Sequence, residues 1–194
     1  MAVNIKHIWF DFSETIAIPS EAHDKLLYET YASVVGKPVS SKLKSEYRKE
    51  HEKHKSNSAV FNYLGLPAGY WSGVVNSKNP IELYKLADPN IPVVLDKLRQ
   101  MLPISIFSNM RMDILLPAMA INPKWFTNFL SSADLKKPKP NPEGFYKIVE
   151  MSNLPANQVL FIGDSVEKED VTCKEGWSDH RSYVEVFARG HLLF

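Results

Sequence analysis

The sequence predicts an α/β fold: a parallel sheet flanked by helices, interrupted by one helical insertion. Three observations carry this. Short apolar runs without polar alternation recur at residues 5–10, 104–107, 128–131 and 159–162, with a fifth candidate at 183–187. Such runs read as strands buried on both faces. Stretches with apolar residues at helical spacing separate them, and that alternation is the pattern of a doubly covered sheet. The segment from about 18 to 86 breaks the rhythm, because it contains no convincing strand.

The elements follow in order. The first strand, 5–10, leads into Asp11. Ser20 then suits an N-cap, Glu21 the first helical turn and Gly36 a C-terminal stop, with Leu27, Tyr31, Val34 and Val35 at helical spacing between them. A second helix is expected over 41–55 and a third, short one over 59–64. The stretch GLPAGYWSG then punctuates with Gly and Pro. Asp88, Pro89 and Asn90 form the expected hinge back to the sheet. This gives an α/β core of 1–17 and 88–194 and an insertion of 18–87. In the core, helices are expected over 91–102, with Val94, Leu95, Leu98 and Leu102 on one face, and over 142–151, with Phe145, Ile148 and Val149.

Bulk properties narrow the setting. A chain of 194 residues buries a core without staples. A formal charge of +1 supplies no field for nucleic acid or a membrane surface. The single cysteine, Cys173, forms no internal disulfide, and with no recognisable signal peptide a reducing cytosol is the expected setting. No apolar stretch is long enough to span a bilayer.

Ligands of a parallel sheet bind beyond the carboxyl ends of its strands. The first strand ends on Asp11, the second on Ser108 and Asn109, and the fourth on Gly163 and Asp164; Lys139 follows the third. Adjacent strands lie about 4.8 Å apart, so these groups converge if the strands are neighbours. Two carboxylates, a hydroxyl and an ammonium suit phosphoryl transfer. Asp11 can attack as nucleophile and Asp11 with Asp164 can hold Mg²⁺, while Ser108 and Lys139 neutralise phosphate oxygens.

These segments together resemble the haloacid dehalogenase superfamily, in the subgroup with a helical cap inserted after the first motif. HIWFDFSETI is similar to the family's DxDx[TV] motif, ISIFSN to the second, SSADLKKPKPNPEGFY to the third and VLFIGDS to the fourth. The resemblance implies a Rossmann-like core, a small α-helical cap, Mg²⁺ and hydrolysis of a small phosphorylated molecule. Of two lysines that precede a proline, Lys139 fits the longer third-motif pattern and Lys137 is the lesser candidate. The implied phosphate-binding set is Thr15, Ser108, Asn109 and Lys139. The implied metal set is Asp11, the Ser13 main-chain carbonyl, Asp164 and Glu169, with Asp170 as the alternative to Glu169.

Two departures bear on activity. Ser13 stands where the family's phosphatases carry a second Asp as general acid and base, a loss that typically costs about 10²–10⁴-fold. The fourth motif continues into EDVTCKEGW rather than a run of small residues. A hydrolase that favours good leaving groups is the first expectation. A scaffold used for binding or regulation, carbon–halogen cleavage by Asp11, and phosphonate cleavage are the alternatives. Carbon–halogen cleavage ranks lower because the family's dehalogenases lack the Gly-Asp signature. Phosphonate cleavage would require a cap lysine, and nothing singles out Lys42, Lys44 or Lys53.

Several features have plainer readings. KLKSEYRKEHEKHK intersperses its bases with Glu46, Glu50 and Glu52 and reads as a solvated amphipathic helix. His51 and His54 lack a third metal ligand at supporting spacing. Tyr63, Tyr70 and Trp71 suit core packing as well as a substrate face. The identity of the substrate and the oligomeric state leave no trace in the sequence.

Overall fold

The computed structural model describes residues 4–108, 110–131, 135 and 143–163. Four strands build a parallel sheet: β1 His7–Asp11, β4 Ile104–Phe107, β5 Phe126–Leu130 and β6 Val159–Ile162, in the order β5-β4-β1-β6. All but the last residue of β1 are buried, as befits a central strand of a sheet covered on both faces. The sheet is flanked by α6 Ile91–Met101, α7 Met112–Ala118 and α8 Glu143–Ser152.

Trp9, Phe107, Leu130, Phe145, Ile148, Val159 and Phe161 form one apolar cluster that seats α8 on the sheet. The intervening residues Ile8, Phe10, Ile104 and Ile106 are also buried, on the opposite face by strand alternation. Polar groups inside this sheet are paired. Ser105 Oγ lies 2.8 Å from His7 Nε2 and accepts the Asn128 main-chain N–H at 3.0 Å. The latter bond falls where the β4–β5 register shifts, so a side chain supplies the acceptor there. Burial lowers the His7 pKa from its ordinary value and favours the neutral ring.

Gly144, the second residue of α8, marks the tightest contact with the sheet. A Cβ there would lie 2.5 Å from Phe107 Cζ and 2.7 Å from Phe107 Cε1. Phe107 is fully buried and precedes Ser108. Gly144→Ala is therefore expected to destabilise the protein by about 1–3 kcal/mol, the usual cost of overpacking. The helix-propensity gain of at most about 1 kcal/mol is smaller still in a first turn. Chemical denaturation compares the two proteins; equal or greater stability in the variant would show that Phe107 yields freely.

The chain divides into two units, and the helical one spans Pro19–Lys85. It contains α1 Glu21–Val35, α2 Ser41–His54, α3 Asn57–Tyr63, α4 Tyr70–Asn76 and α5 Pro80–Leu83. Ser20, Ser40 and Ser56 each accept an N-terminal N–H of α1, α2 and α3, and Gly36 closes α1 with φ of 66°. Tyr31 meets Tyr47 edge-on at 5.0 Å, and Phe61 stacks on Trp71 at 5.4 Å. Trp71 is thus a core residue, whereas Tyr63 is 66 % exposed and lies against His54. His23 is buried beside Trp71 and Tyr84, and burial lowers its pKa despite the carboxylate of Asp24. On α2, Glu46 pairs with Lys37 at 2.9 Å and Glu50 with Lys53 at 2.7 Å.

One expectation is corrected. The segment from 18 to 86 was expected to lack strands, yet β2 Ala17–Pro19 pairs with β3 Tyr84–Leu86 in a two-stranded sheet. Three residues are too few to display a period, and the partners are far apart in sequence. The candidate strand at 183–187 lies outside the described residues.

Candidate active site

The chain runs from β1 to β4 and outward to β5, then returns to add β6 on the other side of β1. The strand order therefore reverses between β1 and β6, and ligand crevices of such sheets form outside the carboxyl ends at that reversal. Asp11 is the last residue of β1 and Gly163 directly follows β6. Asp11 pairs in register with Phe107, one residue before Ser108. Strand spacing then places the Cα atoms of Asp11 and Ser108 about 6 Å apart.

The loop after Asp11 is held by its own backbone. The Phe12 carbonyl receives the N–H groups of Thr15, Ile16 and Ala17 at 3.4, 2.9 and 3.0 Å, and the Ala17 carbonyl receives that of Glu14 at 2.7 Å. Phe12, Ile16 and Ala17 are buried and anchor the turn. Glu14 adopts φ of 62°, a left-handed conformation that costs a non-glycine residue about 1 kcal/mol. The surrounding hydrogen bonds hold that strain in place. The Phe12 N–H donates to Asp11 Oδ1 at 2.8 Å, a charge-assisted bond that orients the carboxylate at the strand end. Ser13 is half-buried and bridges to Ala17 within the same turn.

Ser108 continues the ladder into a turn. Its N–H donates to the Leu130 carbonyl at 2.9 Å, and its Oγ accepts the Met110 N–H at 3.1 Å. A surface depression of about 350 Å³ opens beside it, with Met110, Met112, Phe129 and Leu130 among its apolar walls. Arg111 and Asp113 stand at the same depression, paired through Arg111 Nη2 and Asp113 Oδ2 at 2.7 Å. The pair raises the pKa of Arg111 and lowers that of Asp113.

A family model of haloacid dehalogenase-like hydrolases matches residues 5–171. The chain belongs to this family. Solved structures share the fold. A proposed phosphoglycolate phosphatase from Lactobacillus plantarum superposes with a TM-score of 0.64 at 23 % identity, over 87 % of this chain and 82 % of that one. A haloacid dehalogenase-like family hydrolase from Streptococcus pneumoniae gives 0.63 at 16 %, over 95 % and 84 %. A proposed hydrolase of the family from Bacillus subtilis, solved bound to magnesium, gives 0.58 at 17 %, over 89 % and 83 %. No curated protein matches the chain.

In this haloacid dehalogenase-like hydrolase, Asp11, Ser13 and Ser108 of the expected site residues fall at the carboxyl ends of adjacent strands or in the loop that follows. Asn109, Lys139, Asp164 and Glu169, with the alternatives Lys137 and Asp170, lie outside the described residues, as does Cys173. Thr15 lies in the same turn. Its Oγ1 is buried and has no hydrogen-bond partner among the described residues. The turn itself is held by main-chain amides. Sequence reading passed over Met110, Arg111, Met112 and Phe129. The signal was present in NMRMD, a turn after a strand with a base and an acid two apart, but only the β4–β5 register brings Phe129 to it.

No helix among the described residues is long and apolar enough to cross a membrane.

Proposed function

We propose that the protein is a Mg²⁺-dependent phosphatase acting on a small phosphorylated molecule through an aspartyl-phosphate at Asp11. The observation that carries this reading is the backbone-clipped carboxylate of Asp11 at the reversal of strand order, beside the buried Ser108. Phosphatase names among the structural neighbours are in keeping with it. The Pro19–Lys85 unit is read as the cap that selects the substrate.

The donor set fits a hard cation: a carboxylate at Asp11 and a main-chain carbonyl at Ser13 are oxygen ligands of the kind Mg²⁺ takes. Asp164 and Glu169 complete the proposed ligands on sequence grounds. When bound, the ion supplies charge neutralisation for the phosphate oxygens. Ser108 donates its hydroxyl to one of those oxygens, and Lys139 and Asn109 are the further phosphate ligands. A carboxylate oxygen of Asp11 forms a bond to phosphorus as the phosphorus–oxygen bond to the leaving group breaks. That oxygen departs with its electron pair. Ser13 is too weak an acid to protonate it, so acyl and aryl phosphates are the better substrates. Water then cleaves the aspartyl-phosphate and releases phosphate, its proton passing to solvent.

The test is an assay with acetyl phosphate and 4-nitrophenyl phosphate, with Mg²⁺ and with chelator. Turnover of both is expected, lost on chelation, with alkyl phosphates much slower. Absence of turnover over a broad phosphate panel, together with failure to bind fluoride-based phosphate mimics, would overturn the reading. That result would favour the alternative that Ser13 itself motivates, a hydrolase scaffold used for binding.

A further inference from the structure

We propose that His23 is an acid-sensitive joint of the helical unit: when its ring takes up a proton, the packing of α1 against α4 and β3 loosens. The inference is independent of the phosphatase reading, because it uses none of the groups assigned to phosphoryl transfer. Three observations converge on it. His23 is 3 % exposed, and its Nδ1 is buried without a hydrogen-bond partner among the described residues. The ring meets Trp71 of α4 edge-on, with centroids 5.5 Å apart, and Tyr84 of β3 at 5.3 Å. The turn that carries it is stitched to the returning chain. Ser20 Oγ accepts the His23 N–H at 3.3 Å and donates to the Glu82 carbonyl at 2.6 Å, and the Ser20 N–H donates to the Leu83 carbonyl at 2.9 Å.

A neutral imidazole occupies this site with one unfilled bond. An imidazolium is far costlier there, because both ring nitrogens then carry protons that need acceptors. Asp24 Oδ1 is the carboxylate oxygen that faces Nδ1, at 3.7 Å, beyond hydrogen-bond reach, and its side chain is mostly in water. From the other elements, α4 and β3 present the aromatic rings of Trp71 and Tyr84, and the Glu82 carboxylate of α5 accepts Asn79 Nδ2 at 3.0 Å. Burial therefore outweighs Asp24 and holds the His23 pKa below its ordinary value of 6.5. A histidine depressed in this way contributes stability that is full above 6.5 and is lost as pH falls toward the lowered value. The loss falls at a sensitive place. The chain enters and leaves the helical unit through β2 and β3, and Tyr84 is the first residue of β3. Charging His23 weakens the support of that ribbon from within the unit.

The experiment follows imidazole NMR signals and amide hydrogen exchange between about pH 7.5 and about pH 5, the range in which histidine titrates. The proteins compared are the wild type, His23→Gln and His23→Phe, the last keeping a ring in the buried site. The signal absent from both variants belongs to His23 and is expected to titrate below 6.5. After correction for intrinsic rates, protection of peptides from α1 and β3 is expected to fall in the wild type by up to about tenfold per pH unit, the effect of one proton. A variant that folds should hold that protection. His7, also buried, lies in β1 and is read separately by peptides of the large sheet. A His23 signal titrating at or above 6.5, constant protection of α1 and β3 in the wild type, or the same acid loss in a folded variant overturns the joint.

Discussion

Asp11→Asn is expected to lower turnover of every phosphate ester by at least about 10³-fold, since it removes the attacking group itself. The amide keeps the shape of the side chain, and its oxygen can still accept the Phe12 N–H that clips Asp11 Oδ1 at 2.8 Å. The loop is otherwise held by main-chain bonds to the Phe12 and Ala17 carbonyls, which the substitution leaves alone. The fold should therefore survive, and a thermal melt close to that of the wild type separates lost chemistry from lost structure. Steady-state assays with acetyl phosphate check the rate. A variant with more than about a tenth of wild-type turnover would remove Asp11 from the nucleophile's role.

Ser13→Asp carries the second large effect, and in the opposite direction. Ser13 is half-buried in a turn whose geometry is set by Phe12, Glu14 and Ala17, so a carboxylate can enter without repacking a core. If position 13 faces the leaving oxygen, restoring a general acid raises hydrolysis of alkyl phosphates by about 10²–10⁴-fold. For aryl and acyl phosphates, whose leaving groups need little protonation, kcat/KM changes much less, because it reports the phosphorylation step and not the later attack of water. The readout is the ratio of kcat/KM for phosphoserine to that for 4-nitrophenyl phosphate. A uniform change, or none, would mean that position 13 points away from the leaving group.

The sheet was legible in the sequence because buried parallel strands leave apolar runs, although the run at 128–131 covers only part of β5 Phe126–Leu130, where exposed Thr127 and Phe129 break the pattern. Residues 104–107 and 159–162 become β4 and β6 with the bounds expected, and the run ending on Asp11 becomes β1. Helix ends were legible where a residue type marks the cap, as the Ser20 hydroxyl and the left-handed backbone of Gly36 do for α1. Elements defined by distant pairing left little trace. The strands β2 and β3 are three residues each and exist through one another. Helix α4 hides behind Gly69, whose φ of 82° begins it without a side-chain cap, and α7 carries Pro117. At the site, Asp11 and Ser108 announced themselves as polar groups at the ends of apolar runs. The burial of the Thr15 hydroxyl did not, because a hydroxyl in a turn looks the same in the sequence whether or not it faces solvent. Nor did the depression at Ser108, since it is a product of the register that sets β5 beside β4.

Covalent chemistry at Asp11 is the central claim, and mapping a trapped intermediate tests it most directly. Without a carboxylate at position 13 to activate water, the aspartyl-phosphate should decay slowly and build up during turnover of acetyl phosphate. Acid quench and peptide mass spectrometry are expected to find a phosphate-mass adduct on the peptide containing Asp11, absent from Asp11→Asn. Steady turnover with the adduct on another residue, or with none while Asp11→Asn remains active, would contradict it.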